Sequence, residues 1–278
     1  MAAKNLTRWN LSSLILYTLV VLMAIPMVYP FIYTMTTSFL PVSEMFKFPP
    51  QIIPLRPTLE HYVKLIKEVR ILLYTFNSIF WVVTSLILSL FFNSLAGFIF
   101  AKYEFRFKGE LFAFLLGTMM VPTTAMLVPS YMVLVKLRMV NNYYGLIIPG
   151  VVGAFNIFMM RQFMVNIPSE LLDAARTDGC SEFGLYWRIG LPLSKPILGT
   201  SALLSAMGIW NEYMWPAVIL RSEELYPLAV KVAGFTNVYR LDFGLLAAGS
   251  AWMTFPFLLL FIVFNRQFIE GFTRSIKE

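Results

Sequence analysis

Few residues of this chain are equipped for covalent chemistry, and they do not gather in the sequence. It has one Cys, Cys180, and one His, His61. A lone thiol cannot build a disulfide framework, and no Cys/His cluster is spaced to hold zinc. No paired carboxylates, no Ser/His/Asp set and no G-x-x-x-x-G-K-[ST] phosphate loop occur, so no enzyme active site is expected and ATP hydrolysis by a Walker mechanism is excluded. Cys180 reads as a small packing residue, and His61 as a solvated surface histidine. Two polar places remain. One is Pro168 to Pro192, a long polar interruption among apolar runs. The other is G-I-W-N-E-Y-M-W-P, Gly208 to Pro216, where Glu212 is the one charge between Pro196 and Leu220. An ionisable group in or near a bilayer is a functional-site candidate by default. Asn211 and Glu212 can hydrogen-bond hydroxyls. The same group also suits an outer membrane–water interface, where Trp and Tyr collect and Glu212 reaches water. Its position nine residues before Arg221 leaves both readings open.

The elements that must position these residues are read from composition and runs. The chain is 58% hydrophobic and 13% charged, with a mean hydropathy of +0.71. Those values describe a membrane protein rather than a soluble domain. The net charge of +7 suits a surface beside anionic lipid and calls for no nucleic acid. Since about 20 apolar residues cross a bilayer, the expected fold is an all-α integral membrane protein, a single transmembrane domain over 1–278. Its six transmembrane helices fall at about 11–35, 72–100, 111–135, 144–162, 197–220 and 244–266. The uncharged run Trp9–Ser43 is too long for a signal-peptide core, so it reads as a retained first span. Pro26 and Pro30 predict a kink or early break in it. The third span carries Pro122 and Pro129. Between Leu40 and Arg70 lies a long polar connection, extended through Pro41, Pro49, Pro50, Pro54 and Pro57. From Thr58 it is expected to be helical, with Leu59, Tyr62, Val63, Ile66 and Val69 on a face that lies on the membrane or against a partner subunit. Ser94, Ala96 and Gly97 give the second span a patch for close helix packing. Arg221 to Asp242 reads as an outer loop.

Pro168 to Pro192 is expected to form two short helices around a turn. Ser169 is placed to cap the first, with Glu170 near its positive end. Leu171, Leu172 and Ala175 share one face, and Glu170, Asp173 and Thr177 another. Gly179 falls where a left-handed residue would end that helix. Ser181 is placed to cap the second helix, on which Phe183, Tyr186 and Trp187 lie at i, i+3 and i+4. Pro192 is expected to stop it. Taken alone, the same pattern also fits an amphipathic hairpin lying on the membrane or packed under its own bundle.

The spacing Asp173-Ala174-Ala175, three residues, Gly179, nine residues, Ile189, one residue, Leu191-Pro192 resembles the "EAA" loop of permease subunits of ATP-binding-cassette importers. It departs from the usual pattern in Asp173, commonly Glu, and in Cys180, commonly Ala. Gly145 to Phe163 and the W-N-E-[FY] stretch Trp210–Tyr213 resemble the carbohydrate-uptake branch of that family, the maltose-type second permease. The resemblance implies that the 168–192 loop is cytoplasmic and couples to a separate ATPase through Asp173, Ala174, Ala175, Gly179, Phe183, Tyr186, Trp187, Ile189, Leu191 and Pro192, with Phe183, Tyr186 and Trp187 entering the ATPase groove. It implies a candidate substrate path at Trp210, Asn211, Glu212 and Tyr213, where aromatic rings, with Trp215, would stack on apolar sugar faces. The implied partners are a second homologous permease, a dimer of ATPase subunits that carries the ATP and Mg, an extracellular solute-binding protein and membrane lipid. The chain itself is expected to hold no cofactor or metal and not to be an enzyme. Its implied location is a bacterial or archaeal cytoplasmic (inner) membrane, multi-pass, with both termini cytoplasmic. Lys and Arg divide almost evenly between the two sides, so positive-inside counting only leans that way and the resemblance sets the orientation. The implied function is ATP-driven import of a sugar or oligosaccharide. An ATP-independent secondary transporter or channel would show several ionisable residues deep in its spans, and Glu212 is the single candidate. A membrane scaffold that uses the loop only as a partner site is the third reading.

Overall fold

A computed structural model describes residues 11–49, 51, 53–236, 242–256 and 258. The described residues are helical and contain no strand. In chain order the helices are α1 (Leu11–Thr37), α2 (Val42–Met45), α3 (Glu60–Lys67), α4 (Ile71–Lys102), α5 (Lys108–Thr118), α6 (Leu127–Lys136), α7 (Tyr143–Ile147), α8 (Ala154–Val165), α9 (Ser169–Thr177), α10 (Glu182–Leu185), α11 (Leu191–Leu193), α12 (Lys195–Asn211), α13 (Met214–Ile219) and α14 (Leu228–Ala233). A last helix, α15, covers 243–256. Contacts divide the chain into two units, 1–69 with 235–254, and 70–234 with 255–278.

In the first unit, α1 stays helical through both Pro26 and Pro30, so neither proline breaks it. Its 27 residues are apolar all round, and side chains from Leu14 to Ile32 are about half exposed. A helix of that kind needs lipid or a partner around it. After it the chain doubles back: Thr58 N–H donates to the Phe39 carbonyl at 2.8 Å, and the Ser38 and Tyr62 hydroxyls lie 2.7 Å apart. The proline-rich stretch carries no helix from Phe46 to Leu59 among its described residues, and α3 follows as expected. His61 and Leu65 are buried, while Leu59, Val63 and Ile66 remain exposed. His61 is therefore not a solvated residue: it donates from Nε2 to the Leu40 carbonyl at 2.9 Å. Gly244 makes room for the ring, since a Cβ there would fall 2.2 Å from the His61 Cε1.

The second unit is built on α4, whose 32 residues span about 48 Å at 1.5 Å per residue. One stripe of it is small and polar: Asn77, Ser78, Ser85, Ser89, Asn93, Ser94 and Gly97 are all buried. At Gly97 the backbones of α4 and α8 approach so closely that a Cβ would lie 2.5 Å from the Met160 Cβ, as the small-residue patch predicts. The chain from Tyr143 to Val165 bends by 41° between Gly150 and Ala154. At that bend the helix cannot satisfy its own backbone, and Asn93 of α4 does so instead. Its Nδ2 donates to the Val151 carbonyl at 3.0 Å, and its Oδ1 accepts from Gly153 N–H at 2.9 Å. Asn156 of α8 continues the polar seam to α12, accepting from the Ser201 hydroxyl at 3.1 Å.

Two described helices are long and apolar enough to cross a bilayer, Ser13–Thr37 and Ile71–Lys102, and the bent pair 143–165 qualifies if taken as one. The stretch 111–135 is not one helix but α5 and α6, with turns over 119–126 around Pro122, which lacks the N–H to continue the ladder. The stretch 197–220 is likewise α12 and α13, separated at Glu212 and Tyr213. Arg221–Asp242 is not a bare loop. Asn77 donates to the carbonyls of Glu224 (2.8 Å) and Tyr226 (3.0 Å), and the Ser78 hydroxyl accepts from Leu228 N–H at 2.8 Å. Residues 257 and 259–266 of the expected sixth span lie outside the described residues.

Candidate functional site

The 168–192 segment folds as a helical hairpin at the Lys102 end of α4. Its first helix is preceded by Pro168 at the N-cap, with no side-chain cap, so Ser169 does not play the expected part. Pro168 fixes φ and leaves Ser169 already inside the first turn. Gly179 ends the helix at φ +81°, the left-handed conformation its position predicts, and its α-hydrogen side faces open space. Ser181 caps the second helix by accepting from Gly184 N–H at 3.2 Å. That helix does not stop at Pro192. It runs α10, a π turn over Tyr186–Gly190, then α11 through Pro192 to Leu193. A proline ring inside a helix collides with the carbonyl four residues back, here that of Arg188. The wider π turn contains Arg188 and lets the chain continue.

Leu172, Leu185 and Tyr186 are buried with Phe98, Met164 and Ile167, and Ala175, Cys180, Ile189 and Leu191 pack around them. Asp173 and Ala174 lie exposed on the outer side, and Pro192 is exposed. The three aromatic residues separate. Phe183 and Trp187 are 55% and 52% exposed, with their rings stacked 6.2 Å apart at 18°. Tyr186 is 1% exposed and turned inward, its hydroxyl 2.8 Å from the Ser94 hydroxyl of α4. It is thus not on the face offered to a partner, contrary to the expectation that all three enter one groove. Period 3.6 puts them on one side, and α4 covers the middle of that side.

An ionic network clasps the hairpin. Arg176 donates to Asp173 at 2.8 Å and to both Glu182 oxygens at 3.0 and 3.2 Å. The Tyr103 hydroxyl, just beyond α4, donates to Glu182 as well. Hydrogen bonds from Arg176 and then from Tyr103 hold the Glu182 carboxyl below its ordinary value. Bonding to Glu182 and Asp173 pushes the Arg176 guanidinium up, so it is charged at any working pH. The Tyr103 hydroxyl is pushed up by burial and then by its bond to Glu182. Tyr103, Arg176 and Glu182 were not singled out from sequence, and Ser94 was read only as a packing residue, not as the partner of Tyr186. An Arg and a Glu six residues apart across a turn was the available signal for two of them.

The second candidate, Trp210 to Tyr213, sits at the break between α12 and α13. Trp210 is buried, so its ring is not presented to a solute. Asn211 is exposed and donates to the Met207 carbonyl of its own helix at 2.9 Å. Glu212 is exposed and extended, φ −72° and ψ 120°. Its Oε1 accepts from Met214 N–H (2.8 Å) and Trp215 N–H (3.2 Å), so it caps α13. Tyr213 is half exposed. The Trp215 Nε1–H donates to the Gly145 carbonyl at 3.3 Å. Among the described residues no group of three or more His, Cys, Asp or Glu is placed to hold a metal ion.

Residues 65–269 match the family described as binding-protein-dependent transport system inner membrane component. Similar proteins include the arabinooligosaccharides transport system permease protein AraQ of Halalkalibacterium halodurans, 33% identical over 88% of this chain and 89% of that one. The galactooligosaccharides transport system permease protein GanQ of Bacillus subtilis is 32% identical over 92% of each chain. Among solved structures, a chain of a bacterial ABC transporter involved in the import of the acidic polysaccharide alginate superposes with a TM-score of 0.82. That likeness covers 94% of this chain and 99% of that one at 24% identity, and is one of fold. With the fold, the loop spacing and the relatives in agreement, the chain belongs to the binding-protein-dependent transport system inner membrane components, the permease subunits of ATP-binding-cassette importers, which are not themselves enzymes.

Proposed function

We propose that this chain lines the path by which an ATP-driven importer carries a sugar or oligosaccharide, coupled to its ATPase through the 168–192 loop. The names of the similar permeases, for arabino- and galacto-oligosaccharides, support the solute class. The observation that carries the coupling role is the stacked, outward Phe183–Trp187 pair on a hairpin otherwise fastened by buried contacts and ion pairs. Apolar rings left half exposed at the end of a folded, clasped element suit a protein groove better than water. The chain forms a single transmembrane domain with six spans at the intervals given above. Both termini and the loop are cytoplasmic. A second permease completes the path, a pair of ATPase subunits binds the ATP and Mg, and an extracellular binding protein delivers the solute. Asp173, Ala174 and the Phe183–Trp187 pair form the ATPase contact. Ala175, Ile189 and Leu191 support it from beneath. Asn211 and Tyr213 line the path, and Glu212 holds the break beside them.

Gly179→Val tests the loop. It places a branched side chain at φ +81° without a clash, so it costs backbone strain alone, about 1–2 kcal/mol. The variant should reach the membrane at near-parental level and lose uptake together with stimulated ATP hydrolysis. Parental uptake and ATPase coupling at matched membrane levels would refute the coupling role.

A further inference from the structure

Of the three loop aromatics, Tyr186 faces away from any partner, and its hydroxyl sits in a defined hydrogen-bond chain. The Ser94 hydroxyl has one proton and donates it to the Leu90 carbonyl at 2.5 Å. Ser94 therefore accepts at 2.8 Å, and Tyr186 is the donor. Both residues are buried. The Tyr186 ring touches Phe91, Phe98, Phe183 and Trp187, with centroids 5.7–6.3 Å away. It thus stands between the exposed pair and α4. Apolar packing of rings is non-directional and tolerates sliding. A buried hydrogen bond is directional and fixes register.

We propose that Tyr186 is a positioning residue of the coupling step. Phe183 and Trp187 make the contact with the ATPase, and the Tyr186 hydroxyl locks the hairpin to α4 so that the two move as one body. This rests on the reading of the hairpin as the ATPase-contacting element. Without the hydroxyl, a phenylalanine ring fills the same space. The hairpin folds and docks, but slips along α4 when the ATPase closes.

The test uses the full importer complex, with Cys180 replaced by Ser and spin labels at Ile87 of α4 and Arg188 of the hairpin. Distances are measured nucleotide-free and trapped with Mg-ATP and vanadate. In the parent, one narrow distance is expected in both states. In Tyr186→Phe the ATPase should still co-purify, while a second, displaced distance appears on trapping. Losing one such hydrogen bond should raise the displaced population about five-fold, or about 1 kcal/mol at 1.4 kcal/mol per tenfold. Ser94→Ala removes the same bond from the α4 side and should match it, and the double variant should add nothing. An unchanged distance on trapping in both single variants overturns the proposal. So does loss of ATPase co-purification in Tyr186→Phe, which would make Tyr186 a docking residue. The underlying reading fails separately, if the Phe183→Ala/Trp187→Ala variant retains the ATPase.

Discussion

Replacing Gly190 by Ala sets two physical effects against each other. Gly190 lies in the π turn and is buried. Helix propensity alone favours alanine there by about 0.5–1 kcal/mol. The contact argues the other way. A Cβ at position 190 would sit 2.7 Å from the Phe98 Cε2 and 2.9 Å from Cδ2, whereas carbon atoms rest at about 3.5–4.0 Å. The ring would have to retreat by about 1 Å. Phe98 is 1% exposed and flanked by the rings of Tyr186 at 5.7 Å and Tyr103 at 5.9 Å, so it has nowhere to turn. Overpacking of this kind costs about 1–3 kcal/mol, which exceeds the propensity gain. Gly190→Ala should therefore destabilise by about 1–2 kcal/mol net. The assay is thermal melting of the purified complex alongside uptake at matched membrane levels. Phe98→Leu, which shortens the obstructing ring, should recover part of the loss when combined with it. A Gly190→Ala protein that melts at or above the parental temperature would refute the reasoning, because propensity would then have outweighed the contact.

Asn93→Ala should lower the melting temperature sharply. It leaves the buried Val151 carbonyl and the part-buried Gly153 N–H without their partner, at up to about 1–3 kcal/mol for each group. At Glu212, Ala removes the oxygen that caps α13 and should cost about 1 kcal/mol in melting. Glu212→Gln keeps an acceptor there and should melt like the parent. A fall in uptake with unchanged melting would then assign a role to the charge itself.

The loop's outline was legible because it depends on local rules. A glycine ten residues past the opening helix residue and a serine before the next one specify a turn and a cap, and both appear at Gly179 and Ser181. The close-packing patch at Ser94 and Gly97 was legible for the same reason, since small side chains have one main use on an apolar helix. What stayed hidden depends on contacts between distant residues. The face of Tyr186 is decided by Ser94, 92 positions away. Pro192 signals a stop, but a π turn absorbs it. His61 looks solvated in a charged neighbourhood, but contacts distant in sequence, Leu40 and Gly244 among them, bury it. Apolar runs overstate helix continuity at 111–135 and 197–220, because hydropathy does not record where the backbone ladder breaks. At Trp210 an aromatic beside an ionisable group suggested a ligand surface, yet the ring is packed inside.

While the chain around it is interrupted at 119–126, at 151–153 and at 212–213, α4 runs unbroken from Ile71 to Lys102. It is gripped at two stations. Near one end Asn77 and Ser78 hold the 224–228 segment. Near the other, Ser94 and Lys102 hold the hairpin and the end of α8, Lys102 through the Val165 carbonyl at 3.1 Å. Ser78 and Ser94 are sixteen residues apart, about 24 Å along the axis. A continuous helix is stiff along its axis, because its own hydrogen bonds resist axial compression. The broken segments beside it are joints, and joints can absorb displacement. A rod with a polar collar near each end thus ties the 224–228 segment to the hairpin through one unbroken helix, and Asn93 fastens the 151–153 joint to the same rod.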